Sequence, residues 1–130
     1  MKLNPQWIEL DLEKYQFMIV FTCKTCNRFT GNIPEEYGKI KSLWKLNLSS
    51  NALSGSIPEF IGQLKNLRFL DLCKNGFSGE IPPTLFDSCG KMKFISLSSN
   101  NLTGSIPDSV INCTNLIGFD ASYNVLGGNM

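Results

Sequence analysis

The sequence predicts an α/β solenoid, in which similar turns of chain stack and each turn adds one short strand to a parallel sheet. Two sets of residues recur at matching intervals. An isoleucine followed by proline stands at Ile33, Ile57, Ile81 and Ile106, and an asparagine recurs at Asn27, Asn51, Asn75, Asn100 and Asn124. Both series advance in steps of 24 or 25 residues, which gives the length of one turn.

Each turn carries a strand whose apolar residues are predicted to face the interior. The pattern LxxLxLxxN places two such residues in each turn, namely Leu46 and Leu48, Leu70 and Leu72, Ile95 and Leu97, and Phe119 and Ala121. Alternate residues of a strand face one side, so these pairs should form a shared column. A closing asparagine stands at Asn51, Asn75, Asn100 and Asn124. The amides of these asparagines are expected to bond backbone groups of adjacent turns as a ladder.

The chain is expected to bend sharply after each asparagine. A glycine holds the same place in three turns, at Gly55, Gly79 and Gly104. This repetition suggests a backbone conformation that a Cβ atom would hinder. The proline of each Ile-Pro pair fixes φ and lacks an N–H, so it ends sheet pairing there.

The combined pattern, LxxLxLxxNxLSGxIP at a 24-residue period, resembles the plant-type leucine-rich repeat over residues 27–130. Receptor-like kinases, receptor-like proteins and polygalacturonase-inhibiting proteins carry repeats of this type. The resemblance implies a right-handed superhelix with short parallel strands on its concave face. It also implies further short strands at the SGxIP segments and little regular helix.

The resemblance further implies a module that binds a peptide or protein, with a co-receptor ectodomain as a further partner, within a receptor-like kinase that perceives a signal. The parent protein would lie in the plasma membrane with its repeats outside the cell. These 130 residues contain no kinase motif, so kinase activity would belong to a longer parent product. Two alternatives stay open: a secreted inhibitor resembling the polygalacturonase inhibitors, and a truncated product without its own function.

The first 26 residues are expected to form a degenerate segment with a partial first repeat. The 24-residue register places Thr22 and Lys24 at inward positions, and a pairing one residue earlier misses the asparagine spacing. No paired-cysteine cap is present, and Trp7 is the side chain expected to cover part of the open end. The sequence stops one residue before an expected proline, which indicates a fragment ending inside a repeat.

Composition argues against catalysis and nucleic-acid binding. The chain has no histidine, which removes the usual general base and the imidazole ligands, so no catalytic residue, metal or cofactor is predicted. A net charge of +1 provides little attraction for a phosphate backbone. The longest apolar run, residues 17–21, is too short for a membrane span or a secretory signal, so no membrane contact is expected for this segment.

The ligand-binding face is expected on the concave side of the sheet. Three columns of side chains point there: Lys45, Phe69, Phe94 and Gly118; Asn47, Asp71, Ser96 and Asp120; and Ser49, Cys73, Ser98 and Ser122. Exposed Phe69 and Phe94, next to Asp71, would form an amphipathic patch suited to an extended peptide. The predicted ligand contacts are Lys45, Asn47, Phe69, Asp71, Phe94, Ser96 and Asp120. The alternative is that the two rings only shield one another.

The five cysteines leave at least one thiol unpaired within a monomer. Cys23 and Cys26 have the spacing of zinc and redox motifs, but a lone CxxC without histidine favours ordinary thiols. Cys89 and Cys113 share the place that Leu64 takes in its own turn, so we expect buried core thiols rather than a disulfide. Acceptor triplets for N-glycosylation begin at Asn47, Asn101 and Asn112, and their use depends on export.

Overall fold

The computed structural model describes residues 9–11, 16–20 and 29–127. These residues form ten strands: β1 (Glu9–Asp11), β2 (Gln16–Val20), β3 (Thr30–Gly31), β4 (Leu43–Asn47), β5 (Ala52–Gly55), β6 (Phe69–Asp71), β7 (Gly76–Glu80), β8 (Phe94–Ser96), β9 (Asn101–Thr103) and β10 (Gly118–Asp120). They also form four 3-10 helices: η1 (Glu35–Lys39), η2 (Glu59–Gln63), η3 (Pro83–Phe86) and η4 (Asp108–Asn112). This arrangement confirms the solenoid with little regular helix.

The main sheet follows the repeat. Its strand order in the described residues is β1, β2, β4, β6, β8, β10; β1 is antiparallel to β2, and all other pairs are parallel. Leu46 lies opposite Leu70, which lies opposite Ile95, which lies opposite Phe119. The first three are completely buried and Phe119 packs against them, so the predicted column is confirmed.

A second parallel sheet joins β3, β5, β7 and β9. Strands were expected at the SGxIP segments, but β5 and β9 begin at the residue directly after the ladder asparagine and end before the Ile-Pro pair. The chain becomes extended earlier than expected because the asparagine side chain accepts a backbone N–H of the preceding turn, as when Leu53 donates to Asn75 Oδ1. Each proline then caps a 3-10 helix.

The predicted bend at the repeated glycine is confirmed by left-handed backbone, with φ of 84°, 78° and 76° at Gly55, Gly79 and Gly104. A second left-handed residue precedes each ladder asparagine. These residues are Ser50, Lys74, Ser99 and Tyr123, with φ of 59°, 57°, 58° and 55°. Their varied side chains give no sign of this conformation, which L-residues other than glycine adopt at some cost.

The asparagine ladder is confirmed within the described residues. Asn75 Nδ2 donates to the carbonyl oxygens of Leu48 at 2.9 Å, Leu72 at 3.2 Å and Cys73 at 3.2 Å. Its Oδ1 accepts the backbone N–H of Leu53 at 3.0 Å. Asn100 and Asn124 repeat this pattern one and two turns on. Asn51 accepts the Phe29 N–H of the preceding turn and donates to the Leu48 carbonyl oxygen of its own turn. Asn27 lies outside the described residues.

The register expected near the N-terminus is wrong, as the pairing of β2 with β4 shows. Ile19 of β2 lies opposite Leu46 and is completely buried, so it occupies the inward position that the 24-residue period assigned to Thr22. The period failed here because Ile19 precedes Leu46 by 27 residues, three more than the repeat length of 24. Thr22, Lys24 and Trp7 lie outside the described residues.

Cys89 and Cys113 form a disulfide, so the prediction of two separate core thiols is wrong. Both residues are buried, at 4% and 7% exposure. They hold equivalent places in consecutive turns, and stacking brings their Cα atoms to 5.1 Å, within the range that a disulfide requires. The shared place in the repeat, which was interpreted as a core position, is therefore also what allows the bond.

Candidate functional site

A column of four residues crosses the concave face of the main sheet. Lys45 lies opposite Phe69, Phe69 opposite Phe94, and Phe94 opposite Gly118. The two phenylalanine rings stack with centroids 4.9 Å apart and planes inclined by 20°. Lys45 Nζ lies 5.0 Å from the Phe69 ring centroid, a cation–π contact. We call these four residues the aromatic column.

Gly118 completes the aromatic column because it has no side chain. A Cβ atom there would lie 2.8 Å from Phe94 Cδ2, so the ring rests against the glycine backbone. Both phenylalanines are half-buried rather than exposed as predicted. They partly shield one another, as the alternative interpretation held, and each still presents an apolar surface to solvent.

The second predicted column holds short polar side chains that shape the ends of the strands. Asp71 Oδ1 accepts the backbone N–H of Cys73 at 3.0 Å, and Asp120 Oδ1 accepts that of Ser122 at 2.9 Å. Asn47 makes the equivalent bond. These side chains therefore fix the turn two residues ahead. A carboxylate has about four lone-pair sites, so Asp71 and Asp120 keep capacity to accept further hydrogen bonds.

Ser96 does not lie open on the concave face, so the prediction that it is accessible is wrong. Its exposure is 5%. The Ser96 hydroxyl lies 3.4 Å from Ser98 Oγ. Asn47 and Asp71 are half-buried and Asp120 is exposed.

Two ionisable groups of this face have shifted pKa values. Burial raises the pKa of the Cys73 thiol, and a hydrogen bond to Asp71 and that residue's negative charge raise it further. The thiol is therefore protonated and a poor nucleophile near neutral pH. Hydrogen bonds from the Ser122 hydroxyl and backbone N–H lower the pKa of Asp120, so this exposed carboxylate keeps its charge.

A row of cationic side chains beside the aromatic column was not predicted as part of the site. Arg68 and Lys93 precede the two phenylalanines and are both exposed, and the Lys93 N–H donates to the Arg68 carbonyl oxygen at 2.8 Å. Lys41, Lys65 and Lys91 lie just before the strands and are also exposed. We call these five residues the basic flank. Comparing the charged positions of successive repeats, as well as the leucine positions, would have predicted the basic flank.

The three glycosylation triplets lie in different settings. Asn101 and Asn112 are exposed. Asn47 is half-buried, and its Oδ1 accepts hydrogen bonds from the Ser49 backbone at 3.1 Å and the Ser49 hydroxyl at 2.8 Å. The structure therefore leaves Asn101 and Asn112 the more accessible acceptors.

The CxxC motif and the short apolar run of the sequence were weighed as a metal site and as a membrane segment. Cys23 and Cys26 lie outside the described residues. Residues 9–11, 16–20 and 29–127 contain no group of three side chains suited to hold a metal ion. None of the helices among them has the length and apolar character needed to cross a membrane.

Comparison with solved structures places this geometry among plant receptors. The ectodomain of the receptor kinase GASSHO1/SCHENGEN3 from Arabidopsis thaliana, in complex with CASPARIAN STRIP INTEGRITY FACTOR 2, is 37% identical with a TM-score of 0.80, over 87% of this chain and 13% of that one. The BIR2 ectodomain from Arabidopsis thaliana is 33% identical with a TM-score of 0.82, over 94% of this chain and 63% of that one.

A third similar structure is the Arabidopsis receptor kinase HAESA in complex with the peptide hormone IDA and the co-receptor SERK1. It is 38% identical with a TM-score of 0.72, over 76% of this chain and 16% of that one. The chain thus spans less than two thirds of the length of each of these three structures.

The sequence itself matches a known repeat. The family described as Leucine Rich Repeat matches residues 42–64, 66–88 and 91–113, just over half of the chain. Each segment begins one residue before the first apolar position of its repeat, Leu43, Leu67 or Met92, and includes the ladder asparagine, the left-handed glycine and the Ile-Pro pair. Together with the stacked parallel strands, they show that this chain belongs to the leucine-rich repeat family, in the form found in plant receptor kinase ectodomains.

Proposed function

We propose that this chain binds an extended peptide across the concave face of its main sheet, as part of a receptor kinase ectodomain that perceives a signal. The observation that carries the proposal is the aromatic column, a half-buried apolar stripe on an otherwise polar face. Aromatic side chains of this kind anchor peptide and protein ligands because they bury much apolar surface with little loss of rotamer freedom.

Hydrogen-bonding groups on both sides of the aromatic column suit a peptide ligand. Asp71 and Asp120 offer carboxylate oxygens on one side, and Arg68 and Lys93 offer cationic donors on the other. A peptide backbone presents both N–H and C=O groups, so it can use both sides while an apolar side chain covers the rings. We infer that Lys45, Asn47, Phe69, Asp71, Phe94 and Asp120 contact the peptide, whereas Ser96 supports the face from below.

The similar structures support a receptor rather than an inhibitor. Those of GASSHO1/SCHENGEN3 and HAESA were solved with CASPARIAN STRIP INTEGRITY FACTOR 2 and with the peptide hormone IDA, and HAESA also with the co-receptor SERK1. By analogy we infer that a co-receptor ectodomain is a second partner. Kinase activity would then belong to a separate domain of a longer parent product.

We infer that the chain lies outside the cell in a plasma-membrane protein. The Cys89–Cys113 disulfide supports this location, because structural disulfides persist mainly in oxidising compartments. In that setting Asn101 and Asn112 are the proposed glycosylation sites, and the hydrogen bonds of Asn47 disfavour its use. Secretion from eukaryotic cells, followed by removal of N-glycans and mass measurement of the Asn101→Gln and Asn112→Gln variants, tests the assignment.

The binding proposal is tested with random twelve-residue peptides displayed on phage. Peptides selected on the whole chain should lose about tenfold or more in affinity for the Phe69→Ala and Phe94→Ala variants, measured by biolayer interferometry. Ile111→Ala is the control, because Ile111 is 78% exposed and belongs to η4, away from the concave face. Urea unfolding of each variant reports folding. Equal binding by the control and both phenylalanine variants would contradict the proposal.

A further inference from the structure

A groove opens on the side of the solenoid where each 3-10 helix returns the chain to the main sheet. Its volume is about 390 Å³, and it is lined by Lys41, Gln63, Lys65 and Asn66. Lys41 and Asn66 belong to consecutive turns, so the groove lies across a junction between turns. Two ammonium groups and two carboxamides line this groove, and none of the four lining side chains carries negative charge.

Asn66 organises the groove. Its Nδ2 donates to the Lys41 carbonyl oxygen of the preceding turn at 2.8 Å. Its Oδ1 accepts a hydrogen bond from Lys91 Nζ of the following turn, also at 2.8 Å. One carboxamide therefore ties three turns together and holds a third ammonium group beside the groove. An ammonium group has three donors, so Lys91 keeps two for another partner.

Positive charge on this side is not neutralised by acidic side chains of the described residues. Arg68 and Lys93 extend the groove lysines toward the aromatic column and are exposed. In the part of the chain that the structure describes, none of the five side chains of the basic flank forms an ion pair with an acidic residue. Like charges gathered without partners repel one another, and an incoming anion relieves that repulsion.

We propose that this groove binds a carboxylate carried by an acidic peptide that continues from the aromatic column over the basic flank. This inference rests on the proposed function, since the same peptide would cover Phe69 and Phe94. Lys41 and Lys65 provide the charge, and the side-chain amide of Gln63 provides a donor that orients the anion. The acidic residues of the peptide thus set its position on the sheet.

Inorganic sulfate tests the groove without any peptide. Sulfate is titrated into the ¹⁵N-labelled chain at constant ionic strength, and the side-chain amide signals of Gln63 and Asn66 are followed by NMR. We expect saturable shifts that weaken about tenfold or more in the Lys41→Gln/Lys65→Gln variant. The charge-matched control is Lys39→Gln/Lys74→Gln, two exposed lysines that do not line the groove. Equal shifts in both variants would overturn the proposal.

Two twelve-residue peptides selected for binding to the aromatic column test the ligand class. One carries three glutamates, and its counterpart carries glutamines at the same places. We expect the glutamate peptide to bind the unaltered chain about tenfold more tightly, and this preference to vanish in Lys41→Gln/Lys65→Gln. Equal affinities that still depend on Phe94 would overturn this inference and leave the proposed function standing. Loss of the Phe94 dependence would instead count against the proposed function.

Discussion

At the scale of single residues, the buried amide of Asn100 holds two turns at once. Its Nδ2 donates to the carbonyl oxygens of Leu72 at 3.0 Å and Leu97 at 3.2 Å, one in each turn. Its Oδ1 accepts the Phe77 N–H at 3.1 Å. All of these groups are buried, so water cannot replace the amide if it is removed.

We therefore expect Asn100→Ala to lower the free energy of unfolding by about 2–3 kcal/mol, because buried backbone groups would lose their partner. Urea denaturation followed by circular dichroism measures the loss. Asn115→Ala is the matched control, since exposed Asn115 makes a single bond to the Gly90 carbonyl oxygen. A control as damaging as Asn100→Ala would show that burial of the amide is not the cause.

The positions of candidate-site residues were predictable where they depend only on the place of each residue in the repeat. Phe69 and Phe94 had to become neighbours because they hold one place in consecutive turns. The burial of Ser96 was not predictable, since the period assigns it to an outward column and gives no measure of how much neighbouring chain covers it. Likewise, the spacing of Cys89 and Cys113 showed that they were equivalent but not how closely two turns approach each other.

At the scale of elements, the strands after residue 42 follow the sequence pattern, and β2 does not. The later strands share the 24- or 25-residue period. Ile19 and Leu46 are separated by three residues more than 24, so β2 does not follow that period. The second sheet was predicted from the resemblance, but its strands begin earlier because ladder asparagines accept their backbone N–H groups. The repeat predicted ladder bonds between turns, but it did not show that their N–H donors would belong to strands of the second sheet.

The disulfide connects the segments that follow η3 and η4, and we expect it to contribute about 2–4 kcal/mol to the free energy of unfolding. The Cys89→Ala/Cys113→Ala variant should lose this amount in urea denaturation, and a thiol reductant should lower the unaltered chain to the same stability. Cys73→Ala is the control, because Cys73 is not in a disulfide. If reductant leaves the unfolding midpoint of the unaltered chain unchanged, the bond does not stabilise the fold.

Packing between η2 and η3 requires the absence of a side chain at Gly62. A Cβ atom there would overlap the Thr84 carbonyl oxygen, which is backbone and cannot rotate away. Gly62→Ala should therefore cost about 1–3 kcal/mol in urea unfolding. Gly90→Ala has open space around its Cβ and should stay within about 0.5 kcal/mol of the unaltered chain. Equal midpoints for the two variants would refute this account of the contact.

At the scale of the whole molecule, burial is uneven along the stack. Ile57 and Ile81 are 3% and 1% exposed, whereas the equivalent Ile106 is 43% exposed and Val125 is 66% exposed. The turns of a solenoid are stabilised mainly by their immediate neighbours, so a turn covered on one side opens more easily.

Hydrogen exchange should consequently form a gradient along the chain. The Leu72 N–H donates to the Ser96 backbone carbonyl oxygen in the middle of the stack, and it should be among the slowest to exchange. The N–H groups of Ile117 and Val125 should exchange faster, although both are hydrogen-bonded. Exchange measured residue by residue by NMR tests this order. Uniform protection would mean that all turns open together as one cooperative unit.

The even spacing of the strands gives the concave face a regular repeat distance. Neighbouring strands lie about 4.8 Å apart, whereas an extended peptide rises about 3.3 Å for each residue. Three residues of such a peptide therefore cover about the same length as two steps of the sheet, roughly 10 Å. A backbone position of the peptide in phase with Lys45 is followed by the next position in phase at Phe94, and the peptide is out of phase at Phe69 between them. The peptide spacing and the strand spacing therefore agree only at every second strand. Shifting the peptide by a single residue would remove each of these agreements.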